Sequence, residues 1–274
     1  MKNKILALIF IIISIFVFFI AQKNNDYLQL NICDVGQGDG AIIRSAGGKL
    51  IVVDGGPDRK ILDCIEELSV FKAKTIDYMI LTHPHKDHVA GLVELLERYD
   101  VGIVIMAYEE SYDNNEYEVF REKLEDINME WVMSGEVFEI EEGLRLEFVW
   151  PIYGYSAKNV NDESLVTRIV YKNSCFLLTG DAGSDFEKYY AENFSDCDGL
   201  KVGHHGSKFA TSKYFLEVVR PKIAVISSGE NTYGHPSGEV LSRLSQSGAD
   251  IFRTNEGTVK IVSSGLEWYI ADTK

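Results

Sequence analysis

The residues best suited to chemistry stand together in one short segment, residues 81–88. The candidates are His83, His85, Asp87 and His88, three imidazoles and a carboxylate within six residues. These groups are the usual protein ligands of zinc and similar divalent metals. A helix cap formed by Asp87 beside surface histidines would explain one or two of them. It does not explain four at this spacing, so the segment predicts a metal site.

The spacing within this segment predicts two half-sites. His83 and His85 are two residues apart, so on an extended backbone their side chains point the same way and could share one metal. Asp87 and His88 are adjacent and fall where a helix is expected to begin, so they could reach a second metal a few ångströms away. Lys86, between the two pairs, is expected to face solvent.

The elements that must position this segment alternate between strands and helices. Apolar residues 76–81 predict a buried strand just before the histidines, and residues 89–98 predict a helix just after them. Further strands are predicted at 27–33, 41–45, 49–53, 101–106, within 129–150, at 165–171 paired with 175–178 as a hairpin, and at 199–202, 223–227, 251–254 and 258–262. Further helices are predicted at 59–70, 116–127, 185–193, 211–219 and 238–247. This order predicts an α/β fold in which two sheets pack together with helices outside.

Other polar residues also follow predicted strands, and each has a structural and a functional interpretation. Asp54 forms a tight turn or orients a metal ligand. Asp181 caps the next helix or bridges two metals. Glycines on both sides of His204 and His205 leave room for a ligand. His235 belongs to a capping turn, or it contacts a phosphate or protonates a leaving group.

The charge of the chain limits its partners. The net charge is −15, and residues 27–274 contain 24 basic and 41 acidic side chains. Such a body repels nucleic-acid phosphates at long range, which argues against a tight, sequence-independent DNA-binding protein. A phosphodiester substrate is still compatible with this charge, because metal ions and basic groups dominate the field inside a cleft.

The four cysteines, Cys33, Cys64, Cys175 and Cys197, form no C-x-x-C pair. Cys33 and Cys175 lie in apolar, strand-like segments, which favours buried thiols. If disulfides form instead, the spacing does not say which cysteines pair.

The N-terminal segment, residues 5–21, is apolar except for Ser14 and would span ~25 Å as a helix. It is either a cleaved secretory signal or an uncleaved signal-anchor. Residues 19–21 make a poor cleavage site, which favours the anchor. Lys2 and Lys4 before the span favour a cytoplasmic N-terminus. We therefore expect a single membrane span in residues 1–26, with a tether at its end, and a catalytic domain, residues 27–274, outside the cytoplasm; cleavage would make the protein secreted.

Taken together, these motifs resemble the metallo-β-lactamase superfamily and, more closely, the hydrolase domain of ComEC-type competence proteins. The matching segments, in family order across residues 27–274, are 33–40, 53–56, 81–91, 161–166, 178–181, 201–207 and 231–236. The resemblance implies an αββα four-layer sandwich with its site at one edge of the two sheets.

The resemblance also implies roles for the candidate residues. It assigns His83 and His85 to one divalent metal, Asp87 and His88 to another, Asp181 as the bridge and His205 to the second site; His204 and His235 would face the phosphate. The metals are expected to be two zinc ions, with manganese as the alternative. This chain departs from many relatives because no histidine lies between His88 and His204. Asn161, Asp162 and Ser164 occupy that region. The first metal would therefore be held more weakly, or water or an oxygen ligand would complete its site.

The function expected from the resemblance is an extracytoplasmic phosphodiesterase or nuclease-like hydrolase that uses a dinuclear metal-bound hydroxide. Its substrate would be a nucleic acid or a phosphodiester of the cell envelope. The alternative is a metal-binding accessory protein of the cell surface or competence machinery with little turnover. A redox di-iron centre is disfavoured because His85 stands where the family's iron enzymes have a carboxylate. One predicted span cannot form a DNA pore, so we do not expect DNA uptake by this chain alone, and no motif indicates a protein partner.

Overall fold

The computed structural model of the chain describes residues 27–68, 74–107, 114–156, 159–191 and 196–271. The predicted membrane anchor, residues 5–21, lies outside this part. Within the described ranges, none of the helices has the length and apolar character needed to cross a bilayer.

Fifteen strands are present in the described residues. In the first half of the chain they are β1 Leu28–Ile32, β2 Gly40–Arg44, β3 Leu50–Gly55, β4 Thr75–Leu81, β5 Asp100–Ala107, β6 Asn128–Val132, β7 Val137–Glu141 and β8 Leu144–Trp150. In the second half they are β9 Val166–Tyr171, β10 Ser174–Leu178, β11 Gly199–Lys201, β12 Ile223–Ile226, β13 Asp250–Arg253, β14 Val259–Ser263 and β15 Trp268–Ile270. β15 was not predicted. Its Trp268 packs edge-on against Phe176 with ring centroids 5.5 Å apart, a contact between distant segments that no local pattern signals.

The strands form two sheets. The first has the order β15-β14-β1-β2-β3-β4-β5-β6, and the second has the order β13-β12-β11-β10-β9-β8-β7. β3 to β6 run parallel, as do β10 to β13. β9 and β10 form the predicted hairpin.

Six helices cover the sheets in the described residues: α1 Lys60–Leu68, α2 Lys86–Leu96, α3 Asn115–Glu122, α4 Ser184–Ala191, α5 Lys213–Val219 and α6 Gly238–Ser247. α3 ends five residues before the predicted boundary, because residues 123 and 124 bond three residues back and tighten the last turn. α5 begins at Lys213 because the Ser212 hydroxyl caps it by accepting the N–H of Phe215.

Three apolar clusters make this a four-layer arrangement. Alternate strand residues such as Leu30, Ile43 and Phe176 fill the space between the sheets. Residues on the opposite strand faces pack outward, against α1 to α3 on the first sheet and against α4 to α6 on the second. The predicted α/β class, two packed sheets with helices outside, is therefore confirmed.

The cysteines correct one prediction. Cys33 is bonded to Cys64 and Cys175 to Cys197, with Cα–Cα distances of 5.9 and 5.1 Å. All four are buried, as their apolar surroundings suggest, but none is a free thiol. The partners are 31 and 22 residues apart and meet only because the fold brings them within bonding range.

Candidate metal centre

The ends of parallel strands place the predicted site residues at one edge shared by the two sheets. Asp54 lies at the end of β3, and His83 follows β4, which is parallel to it. In the second sheet Asp181 follows β10, and His205 follows the parallel β11. The carboxyl ends of parallel strands are where sites collect in α/β sheets.

A close contact between glycines seats α2 on the end of β3. A Cβ atom on Gly91 would lie 1.9 Å from the carbonyl oxygen of Gly55, so only glycine fits there. The N–H of Gly91 also donates to the carbonyl of Gly56 at 3.0 Å. This approach brings His88, in the first turn of α2, over Asp54.

Asp54 lies directly behind His88. Its Oδ2 is 2.8 Å from His88 Nδ1, and it accepts the N–H of Thr82 at 2.8 Å and the Thr82 hydroxyl at 2.7 Å. Because Nδ1 is engaged in this way, the other ring nitrogen of His88 points into the site. Such a carboxylate-histidine pair fixes the tautomer and the ring orientation of a metal ligand.

The ligand atoms of four predicted site residues lie within a few ångströms of one another: Asp87, His88, Asp181 and His205. Nε2 of His88 is 3.5 Å from Asp181 Oδ2, and Nε2 of His205 is 3.3 Å from both Asp181 Oδ2 and Asp87 Oδ2. Two ligand atoms each at a normal bond length from a tetrahedral zinc ion are about 3.4 Å apart. The spacing therefore matches the edges of a metal coordination tetrahedron. The helix-cap interpretation of Asp87 is wrong, because the cap position of α2 is His85, which makes no side-chain cap bond.

The loop after β11 turns two adjacent histidines in different directions. His204 and His205 have φ values of 47° and 52°, which is the left-handed region. For residues other than glycine this conformation costs roughly 1–3 kcal/mol and is commonly found at functional sites. His205 Nδ1 lies 3.0 Å from the carbonyl oxygen of Ser227, while His204 remains partly exposed. One imidazole thus joins the buried cluster and the other faces the surface.

His83 and His85, the other predicted half-site, lie side by side. Nε2 of His83 is 3.1 Å from Nδ1 of His85, and ligand atoms of His83, His88 and Asp181 all lie within 4.8 Å of one another. The Ser164 hydroxyl oxygen is 3.2 Å from His83 Nδ1 and accepts the N–H of Asp181 at 3.0 Å. Ser164 therefore touches members of both half-sites.

Of the other two predicted oxygen donors, only one reaches the site. Asn161 lines the cleft with its Nδ2 3.4 Å from His204 Nε2. Asp162 does not: its carboxylate accepts the N–H of Gly183, and its carbonyl accepts the indole N–H of Trp150 at 2.6 Å. Asp162 thus stabilises the turn before α4 and does not point into the cleft.

The unpartnered polar atoms fit a divalent metal. Nε2 of His88, Nε2 of His205 and Oδ1 of Asp181 are buried, and none has a hydrogen-bond partner within the described part of the chain. Leaving such atoms unsatisfied costs about 1–3 kcal/mol each. Imidazole nitrogen and carboxylate oxygen are the donor set that zinc prefers, so these residues fit the ion that the sequence predicts.

The charges of the cluster are strongly coupled. Burial alone would lower the pKa of His88 and His205, but the Asp181 carboxylate, with Asp54 and Asp39 respectively, raises both pKa values well above the ordinary value. Burial would raise the pKa of Asp181, and the two histidines hold it well below its usual range. The same balance brings the pKa of Asp87 to about 2. In the metal-free cluster the charged forms of His88 and His205 and the charged carboxylates of Asp87 and Asp181 therefore favour one another.

Two buried residues of the site were not predicted. The ammonium group of Lys201 pairs with Asp39 Oδ2, and Asp39 Oδ1 lies 3.3 Å from His205 Nδ1. Each lay within a motif that carried the resemblance, but neither was assigned a role. The available signals were a lysine ending an otherwise apolar strand and an aspartate between two glycines.

An open cleft of about 440 Å³ exposes the cluster to solvent. Its lining residues are Gln37, His85, Lys86, Asp87, Asn114, Asn161, Asp181, His204, His205, Tyr233 and His235. The ring of His235 lies 5.6 Å from that of His204, so both face the same space. Burial lowers the pKa of both rings. Lys86 is exposed as predicted, and it pairs with Glu116 at 2.7 Å.

Two packed sheets with a histidine-aspartate cluster at their common edge define a metallo-β-lactamase-like protein. The family model of the Metallo-beta-lactamase superfamily matches residues 33–230, and the chain belongs to this superfamily. Its members are generally metal-dependent hydrolases, and the fold binds divalent metals, often two.

Relatives of ComEC type share most of the chain. ComE operon protein 3 of Bacillus subtilis (strain 168) is 29% identical over 271 residues, which covers 89% of this chain and 34% of that protein. Recombination protein 2 of Haemophilus influenzae is 30% identical over 232 residues, which covers 81% of this chain and 27% of that protein. The chain thus spans about a third or less of the length of these relatives.

The fold is also similar to that of CmlA, a diiron beta-hydroxylase from Streptomyces venezuelae. The TM-score is 0.56 at 14% identity, over 82% of this chain and 52% of that one. At this identity the likeness shows the fold alone.

Proposed function

We propose that the chain is a phosphodiesterase-type hydrolase that works with two divalent metal ions, zinc first and manganese as the alternative. His83 and His85 would hold one ion, Asp87, His88 and His205 the other, and Asp181 would contact both. The observation that carries this proposal is the convergence of Nε2 of His88, Nε2 of His205 and the carboxylates of Asp87 and Asp181 at 3.3–3.5 Å.

A pair of divalent ions, when bound, polarises the scissile group and supplies hydroxide at neutral pH by lowering the pKa of water. The residues of the chain do the rest. Asp54 keeps His88 in one orientation through the 2.8 Å contact at Nδ1. His204 and His235 line the open side of the cleft, where their ring N–H groups can donate to the oxygens of a bound phosphate.

Nucleic acid is our first candidate substrate, because the relatives include a ComE operon protein and a recombination protein. A phosphodiester of the cell envelope is the second, because the net charge of −15 repels a long polyanion. Among the described residues that line the cleft, Lys86 is the only lysine or arginine, and it is already paired with Glu116. This low positive charge favours short or single strands over a long duplex.

We also propose that the catalytic domain lies outside the cytoplasm, attached through residues 5–21. Two observations support this location. The apolar segment follows two lysines, and all four cysteines form disulfides, which persist mainly in oxidising compartments.

A metal-binding accessory role is the second candidate function. It is favoured by the first half-site, where Ser164 and Asn161 stand in the region from which many relatives supply a further histidine. The Ser164 hydroxyl already makes hydrogen-bond contacts with His83 and Asp181, so it is poorly placed to act as a metal ligand as well. A weakly held first ion would give metal binding without turnover.

The test uses the full chain purified in detergent. Metal per chain is measured first; activity is then assayed on a bis-aryl phosphate, single- and double-stranded DNA, and an aryl phosphocholine. Asp181→Asn should abolish turnover, whereas Asp162→Asn, a matched change outside the cleft, should not. Two bound metals with no turnover on any substrate would establish the accessory role instead. Full activity of Asp181→Asn would refute the bridging role.

A further inference from the structure

We infer that Lys201 and Asp39 are positioning residues: a buried pair across the two sheets that holds His205 and Asp181 in the geometry the metal requires. The inference rests on the proposed metal site but not on the identity of the substrate. It concerns two residues to which the sequence pattern assigned no role.

The pair joins the sheets directly beneath the cluster. Asp39 precedes β2 in the first sheet, Lys201 is the last residue of β11 in the second, and both side chains are almost fully buried. Besides its contact with Asp39, the Lys201 ammonium donates to the carbonyl of Gly180 at 3.1 Å. It also lies 4.0 Å from Asp181 Oδ1. One cation therefore contacts Asp39 and the backbone of Gly180, the residue before the predicted bridging carboxylate, and lies near that carboxylate.

Asp39 stands behind His205 as Asp54 stands behind His88, but only through an ion-pair contact, because the hydrogen bond of His205 Nδ1 goes to the Ser227 carbonyl. The Asp39 Oδ1 is 3.3 Å from His205 Nδ1, on the side of the ring away from Asp87 and Asp181. With Nδ1 facing Asp39 and the Ser227 carbonyl, Nε2 is left to face the metal ligands. Each of the two innermost histidines thus has a carboxylate of the first sheet behind it.

The two carboxylates differ in what holds them. Thr82, a neutral residue, holds Asp54 through its N–H and its hydroxyl. Asp39 depends on the charge of Lys201. A buried ion pair contributes little net stability, since desolvation offsets the attraction, but removing one partner strands the other charge. Its position beside two predicted ligands, His205 and Asp181, indicates a role in ligand geometry more than in stability.

The consequence is a prearranged site. The ammonium group provides a fixed positive charge among Asp39 and Asp181 before any ion arrives. Neutralising Lys201 would leave the buried Asp39 carboxylate without its cation, so that it turns away and no longer holds the Nδ1 side of His205. Metal affinity should therefore fall even if the fold survives.

The test compares metal affinity in the full chain, by competition of Zn²⁺ or Mn²⁺ with a chromophoric chelator, and needs no substrate. Lys201→Met and Asp39→Asn should each weaken binding about tenfold to a hundredfold, the range found for residues that support metal ligands. The double variant should lose less than the product of the two single losses, because the pair acts as a unit.

The matched control is Arg168→Met, which breaks the 2.7 Å pair with Glu147 in the same sheet but away from the cleft. It should lower thermal stability and leave metal affinity unchanged. A Lys201→Met variant that folds and binds metal with wild-type affinity would refute the inference.

Asp39→Asn keeps the test decisive if Lys201→Met does not fold, because it preserves side-chain size. Imidazole ¹⁵N NMR of the wild-type chain should show His205 protonated at Nδ1 when metal is bound, and Asp39→Asn should shift that signal. An unshifted signal together with unchanged affinity would overturn the positioning role. A chain that binds two metals but hydrolyses nothing would fail the proposed function, yet the comparison of affinities would still test this inference.

Discussion

The Nε2 atom of His205 lies 3.3 Å from the Oδ2 atom of Asp87, although the two residues follow strands of different sheets. The predicted metal-ligand cluster therefore spans the seam between the two sheets. A metal bound there would connect the two sheets, so metal binding and the stability of the fold should be coupled.

Metal removal should destabilise the protein. A ligand that binds only the folded state at 100 times its Kd stabilises it by about 2.7 kcal/mol. We expect chelation to lower the Tm of the wild-type chain and metal to restore it. His205→Ala should lose most of this response, whereas Asp162→Asn should keep it. The measurement is thermal unfolding with and without added Zn²⁺; equal responses in all three proteins would contradict a seam-spanning site.

Asp54→Asn should weaken metal binding about tenfold to a hundredfold, because His88 loses the carboxylate that orients it. An asparagine can still accept the N–H of Thr82, so the fold should be retained. Competitive chelation gives the affinity, and circular dichroism checks the fold. If the variant bound metal as tightly as the wild type, the 2.8 Å contact would have no role in the site.

The pH dependence of stability should reverse when metal binds. In the metal-free protein, burial lowers the pKa values of His88 and His205. The carboxylates of Asp181, Asp54 and Asp39 outweigh burial and raise both pKa values above 6.5. The stabilising contribution of the two histidines is complete below the unfolded pKa of 6.5 and is lost as pH rises through the folded values. The metal-free chain should therefore become less stable as pH rises above neutrality.

Metal, in contrast, displaces protons from these rings, so its affinity should increase with pH. Thermal unfolding of both forms, followed from about pH 6 to about pH 9, gives the two slopes. Parallel slopes would show that His88 and His205 are not the groups that exchange protons for metal.

The disulfides should stabilise the fold whether or not metal is present. Closing loops of 31 and 22 residues removes chain entropy worth about 3 kcal/mol each in the unfolded state. Removing either disulfide should lower the free energy of unfolding by about this amount. The double variants are Cys33→Ala with Cys64→Ala, and Cys175→Ala with Cys197→Ala. Denaturant titrations of the metal-free proteins measure this free energy. Unchanged stability in a pair of substitutions would mean that the cross-link does not form.

Tyr233 should contribute to substrate binding but not to metal binding. Its side chain lines the cleft, is 75% exposed and has its ring centroid 5.9 Å from that of His235. An aromatic ring at this position can stack on a nucleobase, which is worth about 1–3 kcal/mol. Tyr233→Ala should raise KM for single-stranded DNA with little change in kcat, and Tyr233→Phe should not. An equal rise in KM for an abasic strand would exclude stacking.

Much of the fold could be predicted because its signals are local. Apolar alternation marks β1, and short continuous apolar runs mark β10 and the end of β4 before His83. One strand-to-helix turn contains four potential ligands, His83, His85, Asp87 and His88. Their closeness in sequence indicated a metal site without any knowledge of the rest of the chain. In each case residues close in sequence carry the information, because one turn or strand decides their geometry.

Long-range features could not be predicted in this way. Asp162 and Ser164 are two residues apart and looked equivalent, yet one binds the backbone of Gly183 and the other contacts His83. The left-handed backbone at His204 and His205 decides which of two adjacent imidazoles enters the cluster. The pairing of cysteines and the contact of Lys201 with Asp39 depend on which strands become neighbours.

The amino-acid sequence by itself therefore determined the α/β class, the strand ends that carry the candidate ligands and the type of chemistry their side chains support. Only the tertiary structure decided which atoms meet: Asp87 with His205, Asp54 behind His88, and Asp39 with Lys201 behind His205. The reason is physical. Hydrophobic periodicity and ligand type are properties of short segments, whereas side-chain direction and contacts across the seam depend on the packing of two sheets whose strands are far apart in the chain.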